Sequence, residues 1–131
     1  MEERAEQFFY EGFDFANLGR YTEALECFDI ALSINPNNVE SWYNRGVTLQ
    51  NLRLYAEAVN AFDKAIAINP DYADAWVSRG DALVYIGQYT DAVASYDKAI
   101  AINPDHVVAK HNREILLEKR TYPQCSPMLT V

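Results

Sequence analysis

Basic charge is what this sequence lacks most: 11 lysines and arginines stand against 19 aspartates and glutamates, a formal net charge of −8. Nucleic-acid binders present a basic stripe that neutralises phosphates, and no such stripe occurs, so nucleic acid is excluded as a partner. Anionic membrane surfaces are disfavoured on the same ground. No apolar run approaches the roughly 20 residues of a membrane span. The opening MEERAEQFFYEGF has neither the basic start, the apolar run nor the small-residue cleavage site of a secretory leader. The expected compartment is cytoplasmic.

Chemistry-bearing clusters are equally scarce. Two cysteines, Cys27 and Cys125, make no disulfide framework and no CxxC site, and Cys27 reads as a small packing residue. His106 and His111, five apart, lie on different helix faces and suit no metal motif. There is no glycine-rich phosphate loop, no HExxH and no GxSxG around any serine. Carboxylates are plentiful but scattered at helical surface phases. The chain is therefore expected to have no catalytic, cofactor-binding or metal-binding residues. Five glycines and five prolines leave no room for a long linker before the last ten or so residues, while nine tyrosines and an apolar half of the chain supply a core.

What the sequence does have is repetition. DKAIAINPD stands at 63–71 and again, unchanged, at 97–105, and the looser DIALSINPN stands at 29–37, each 34 residues from the next. Around it six columns recur at the same interval. An aromatic (Phe8, Trp42, Trp76) is followed by glycine (Gly12, Gly46, Gly80), alanine (Ala24, Ala58, Ala92) and an aromatic (Phe28, Phe62, Tyr96). A second alanine (Ala31, Ala65, Ala99) and a proline (Pro36, Pro70, Pro104) complete the unit.

Small and apolar residues recur at three- and four-residue steps, the helical period, and no run alternates as a strand would. Each unit therefore holds two helices, expected near 5–18, 39–52 and 73–86 for the first and near 22–34, 56–68 and 90–102 for the second. A seventh is expected near 107–120. The Asn-Pro pairs stop each second helix, because a residue before proline leaves the helical region and asparagine tolerates a left-handed end. Asn37, Asp71 and Asp105 then stand where N-caps are wanted, Asn37 with Glu40 approximating a capping box. Gly19 and Gly87 mark the inner turns, whereas the middle unit has Arg53 and must turn without glycine. Helix-interior glycines cost about 1 kcal/mol each against alanine, so Gly12, Gly46 and Gly80 imply a close helix approach, expected to bring Ala24, Ala58 and Ala92 nearly onto the backbone while the aromatics fill space on either side.

The 34-residue period, with WYNRG and WVSRG, AVNAFDKA and AVASYDKA, and the closing NP, resembles the tetratricopeptide repeat. The resemblance implies an all-α fold, a right-handed α-solenoid of helix-turn-helix repeats of 34 residues. Its units are 5–38, 39–72 and 73–106, with a capping helix 107–120 completing a domain over 1–120. Where the motif commonly has leucine before the glycine, this chain has Glu11, Arg45 and Arg79; arginine can lay its stem on the packing face and expose its head. In the last helix Lys110 and Glu114 occupy the tryptophan and glycine phases, so the face a further partner would bury is charged, as a terminal cap requires. The alternative is that the chain is an excerpt of a longer array.

The resemblance further implies a concave groove lined by the first helix of each pair, holding a peptide or partner segment. Its expected lining is Glu6, Phe9, Phe13 and Asn17 in the first unit, and Glu40, Tyr43, Val47, Gln50 and Asn51 in the second. The third unit supplies Asp74, Val77, Asp81, Val84 and Tyr85, and the last helix Val108, His111 and Ile115. One subclass of these repeats grips the C-terminal carboxylate of heat-shock chaperones with lysines, asparagines and an arginine. The corresponding positions here are Phe9, Phe13, Asn44, Asp74 and Ser78, of which only Asn44 fits, and shifting by one unit to Tyr43, Val47, Ser78, Val108 and Asn112 is no better. A chaperone C-terminal carboxylate is therefore not the expected ligand. Aromatic and aliphatic surface interleaved with Glu6, Glu40, Asp74 and Asp81 favours instead a protein segment with apolar anchors and basic residues between them.

The tail TYPQCSPMLTV, 121–131, belongs to no unit and reads as extended or disordered, or as residues foreign to the domain. Its apolar letters Met128, Leu129 and Val131 leave open a second function, self-assembly by docking the tail in a neighbour's groove or through the array ends.

Overall fold

The structure, a computed structural model, describes residues 2–125, with side chains through residue 118. Seven α-helices follow one another: α1 Glu2–Asn17, α2 Tyr21–Ile34, α3 Val39–Asn51, α4 Tyr55–Ile68, α5 Ala73–Ile86, α6 Tyr89–Ile102 and α7 Val107–Cys125. Among the described residues there is no strand. The ends of α2 to α6 fall within one residue of those the periodicity predicts. The seventh helix does not stop near 120 but continues through Pro123 to Cys125; proline's fixed φ is itself helical, and what it removes is one bond back to the preceding turn. The rest of the expected tail, 126–131, lies outside the described residues.

Helix starts fall one residue later than the expected caps. The boundary residues are Asn38, Tyr72 and His106, not Asn37, Asp71 and Asp105, and the Asn37–Glu40 capping box does not form. Asn38 Oδ1 accepts from the Ser41 amide at 2.9 Å, His106 Nδ1 accepts from the Ala109 amide at 3.2 Å, and Tyr72 makes no side-chain cap. The reason lies in the Asn-Pro turns. Asn35, Asn69 and Asn103 are not left-handed but extended, at φ −132°, −134° and −134°, as the following proline demands. Their side-chain oxygens then accept from the amides of Asn37, Asp71 and Asp105 at 3.1–3.3 Å, so these residues close the turn instead of opening the helix. The indole N–H groups of Trp42 and Trp76 donate to the carbonyls of Pro36 and Pro70 at 2.8 and 2.9 Å, holding each turn against the next helix.

Within a unit the two helices meet on the small residues. Ala24, Ala58 and Ala92 are fully buried, but what closes on each glycine is the aromatic ring four residues further along. A Cβ on Gly46 would lie 2.5 Å from the Phe62 ring, one on Gly80 2.7 Å from Tyr96, and one on Gly12 2.9 Å from Phe28. The glycines thus make room for flat rings, which fill more space than an alanine methyl and bury more apolar area. Val59 packs against the clusters of both the second and the third unit, so the core runs on from one unit to the next.

A ladder of ion pairs sets the register between units. Arg45 pairs with Asp29 at 2.6 Å, Arg79 with Asp63 at 2.6 Å and Arg113 with Asp97 at 2.5 Å, each joining a second helix to the first helix of the following unit. The arginines that replace the motif's leucine therefore hold the aspartate of DIAL or DKAI instead of merely exposing their heads. Arg79 also lies over the Trp76 ring, 5.8 Å from its centroid, and donates to the buried Ser95 hydroxyl at 2.7 Å. In α1 the same phase holds Glu11, which accepts from Gln7 of its own helix.

Candidate partner-binding groove

Which side of the stack is concave follows from which helices touch. Besides its sequence neighbours, α1 meets α3, α3 meets α5 and α5 meets α7, whereas among the described residues α2, α4 and α6 do not reach one another. The first helices are therefore drawn together on an inner face and the second helices are splayed on the outer one, giving a groove lined by α1, α3, α5 and α7.

Along that groove α1 contributes Glu6, exposed, and the rings of Phe9 and Phe13, stacked with centroids 6.4 Å apart. Phe9 is anchored from below by Phe28 at 5.9 Å, and Phe13 stands 43% exposed. From α3, Glu40 is exposed and Tyr43, Val47 and Gln50 are half-buried. The Tyr43 ring packs on Tyr72 at 5.0 Å and Phe62 at 5.8 Å, and its hydroxyl lies 3.5 Å from the Ser78 hydroxyl of α5. Burial pushes the Tyr43 phenol up from its ordinary value, the Ser78 contact opposing it, and burial foremost pushes Tyr72 up to about 12. Both rings are thus neutral at physiological pH, apolar bodies with hydroxyl handles.

The third unit departs most from expectation. Val77 is only 5% exposed and belongs to the core with Leu83, Tyr96 and Leu116; it does not line the groove, because the approach of α7 closes over its phase. Val84 is likewise half-buried against that core. Asp81 is half-buried and accepts from the Tyr96 hydroxyl at 2.5 Å and from the Asn112 amide at 3.0 Å, tying α6 and α7 to α5. Burial raises its pKa, the two hydrogen bonds pulling the other way. Asp74 is exposed and meets His106 Nε2 at 2.9 Å. Since His106 Nδ1 accepts from an amide, Nε2 carries the proton and donates it to Asp74. Tyr85 is 67% exposed, and Val108, His111 and Ile115 are exposed on α7, as are Asn17 on α1 and Asn51 on α3.

Sequence reasoning missed Tyr72, Ser78, His106 and Asn112 as supports of this face, and Tyr55 and Arg53 beside it. A signal existed for His106: it shares the phase of Asn38 and Tyr72 at the entry to a first helix. For the others the signal lies between units, where a phase within one helix does not say which neighbour it meets.

Groups of three or more acidic, histidine or cysteine side chains able to hold a metal are absent among the described residues. Cys27 is buried, and burial raises its thiol pKa, the state of an inert packing cysteine. No described helix is long and apolar enough to cross a membrane.

Paired helices stacked at a fixed period around one continuous core make this a helical-repeat solenoid. The particular repeat is identified by sequence: the family described as tetratricopeptide repeat matches residues 39–72 and 73–106, and a second profile of TPR repeats matches 13–52. The chain belongs to the tetratricopeptide-repeat family. No curated protein matches it in sequence. Among solved structures it is similar to the first TPR of Spaghetti (RPAP3) bound to the HSP90 peptide SRMEEVD, at TM-score 0.89 and 21% identity over 92% of this chain and 96% of that one. It is similar to the second TPR domain of human RPAP3 in complex with the HSP70 peptide SGPTIEEVD, at 0.84 and 22% over 87% and 95%. It is also similar to YrrB, a TPR protein described as having an unusual peptide-binding site, at 0.81 and 29% over 85% of this chain and 57% of that one.

Proposed function

We propose that this chain is a non-catalytic protein-interaction scaffold whose groove of α1, α3, α5 and α7 holds a partner segment with apolar anchors and basic residues between them. The observation that carries the reading is the pairing, on one inner face, of exposed carboxylates with half-exposed rings: Glu6 beside Phe9 and Phe13, Glu40 and Asp74 beside Tyr43. Rings supply anchor area, and like-signed carboxylates select the opposite charge and set orientation. That related folds hold chaperone peptides supports peptide holding as the task.

Capture of a chaperone's terminal carboxylate is not proposed. Phe9, Phe13 and Asp74 replace the cationic and amide groups such a clamp needs, and Asn44, the one residue that fits, donates its side-chain amide to the Glu40 carbonyl of its own helix.

The test is selection from a random peptide display library on the intact chain and on the double variant Glu6→Lys, Glu40→Lys. Both positions are exposed, so the variant folds. The parent is expected to enrich peptides with lysine or arginine flanking apolar residues, and the variant to lose that enrichment. Identical basic enrichment by both would refute the groove assignment, as would a parent that enriches no basic peptide.

A further inference from the structure

At the edge of the groove lies a recess of about 380 Å³ lined by Val47, Gln50, Asn51, Arg53, Tyr55 and Tyr85. It sits where the end of α3, the turn into α4 and the end of α5 converge. Tyr55 and Tyr85 stack directly on each other in its wall, centroids 4.4 Å apart and planes 4° from parallel, with Tyr85 largely in solvent. Its volume is that of a site for one or two side chains, within the range of ordinary ligand pockets.

Its charge is the reverse of the groove's. No acid lines it, and Arg53 is its one charged residue. Arg20 pairs with Glu23, Arg45, Arg79 and Arg113 pair with aspartates, and Lys64 and Lys98 lie over tryptophan rings; the exposed Arg4 of α1 and Lys110 of α7 do not line the recess. Among the described residues the Arg53 guanidinium has no ion-pair or hydrogen-bond partner. The backbone adds a second, independent observation. Arg53 has φ +65°, whereas the other two units place Gly19 and Gly87 at +78° and +85° in the same turn. A side chain is thus kept where the conformation favours glycine, a form of strain that concentrates at functional sites.

We propose that this recess is an anion-accepting anchor: it takes a glutamate or aspartate side chain of a partner protein segment, with the neighbouring apolar side chain laid on the open face of Tyr85. The carboxylate pairs with the Arg53 guanidinium, which matches it in planar, two-pronged geometry, with the Gln50 side-chain amide as a further donor. This deepens the groove reading by giving the bound segment one acidic position among basic ones, and so fixing its register and direction. It rests on that reading only for the rest of the segment, since the recess is complete without Glu6, Glu40 or Asp74.

The experiment is an NMR titration of the ¹⁵N-labelled full chain at low salt with acetyl-Phe-Glu-Phe-amide and its Gln and Lys counterparts. The Glu peptide is expected to shift the amides of Gln50, Arg53, Tyr55 and Tyr85 and to bind about fivefold tighter than the Gln peptide, equivalent to ~1 kcal/mol. The preference is expected to vanish in Arg53→Gly, which restores the glycine of the other turns and so folds. Equal binding of the Glu and Gln peptides, shifts away from these residues, or an unchanged preference in Arg53→Gly would each overturn the proposal. The preference is expected to survive Glu6→Lys, Glu40→Lys, so failure of the groove reading and failure of the recess are told apart.

Discussion

Arg79 and Asp63, 16 residues apart, close a 2.6 Å ion pair across the boundary between the second and third units, and Arg79 reaches on to the buried hydroxyl of Ser95. The two halves of this arrangement differ in weight. Asp63 is half exposed, so Asp63→Ala is expected to cost about 0.2–1 kcal/mol, the range of solvent-exposed pairs. Arg79→Ala additionally leaves the fully buried Ser95 oxygen without its donor and is expected to cost ~2 kcal/mol or more. Urea denaturation of both variants checks the ordering, and Ser95→Ala in the Arg79→Ala background is expected to recover part of the loss. Equal costs for the two single variants would mean that the Ser95 contact contributes nothing.

Gly46 faces the hardest constraint among the three helix-interior glycines, its missing Cβ having 2.5 Å to the Phe62 ring, itself fully buried. Alanine improves helix propensity by about 1 kcal/mol, yet forcing a methyl against a locked ring costs ~1–3 kcal/mol or more. Gly46→Ala is therefore expected to destabilise despite its propensity gain, and Phe62→Leu is expected to relieve the variant. A thermal scan in which Gly46→Ala raises the midpoint would contradict the packing described here.

These two sites show how much was legible beforehand. The period, the seven helices and the inner turns follow from residues within one unit, because helical spacing and Asn-Pro punctuation act locally. That glycine admits a neighbour was readable too, but Phe28, Phe62 and Tyr96, not the alanines, proved to be that neighbour, since phase alone does not say which side chain points across. The arginine ladder was visible as a 16-residue interval from Asp29, Asp63 and Asp97 to Arg45, Arg79 and Arg113, with complementary charge. Sequence alone puts only the heads of Arg45 and Arg79 at the surface and gives them no partner, because the contact spans a unit boundary. Val77 failed as a groove residue for the same kind of reason: its helix face is the inner one, but α7 closes over it.

Arg53 adopts φ +65° where its counterparts are glycine. A left-handed conformation costs a non-glycine residue roughly 1–2 kcal/mol, and glycine's greater freedom in the unfolded chain returns part of that. Arg53→Gly is expected to stabilise by up to ~1 kcal/mol, and Gly87→Ala, at φ +85° with open space around it, to destabilise by about the same. Chemical denaturation gives both signs at once. A destabilised Arg53→Gly would mean that the side chain contributes to the fold, and would remove the case for a residue retained at a cost in stability.

Asp81 supplies a pH dependence whose sign can be worked out. Burial is the leading cause of its raised pKa, outweighing the hydrogen bonds from Tyr96 and Asn112. A carboxylate whose folded value lies above its unfolded one contributes stability that is fully present below the unfolded value, near pH 4, and lost as pH rises through the folded value. The charged form of Asp81 therefore opposes folding relative to its protonated form. Asp81→Asn cannot ionise, yet its Oδ1 still accepts from both Tyr96 and Asn112. The variant is expected to be more stable than the parent at pH 7, with the difference shrinking as pH falls towards 4. Urea midpoints of both proteins between about pH 3.5 and 7.5 check this. Parallel curves would show that Asp81 titrates alike in both states; a variant that loses ground at neutral pH would show that the charged hydrogen bonds outweigh burial, and the bridge from α5 to α6 and α7 would then be stabilised by the ion itself.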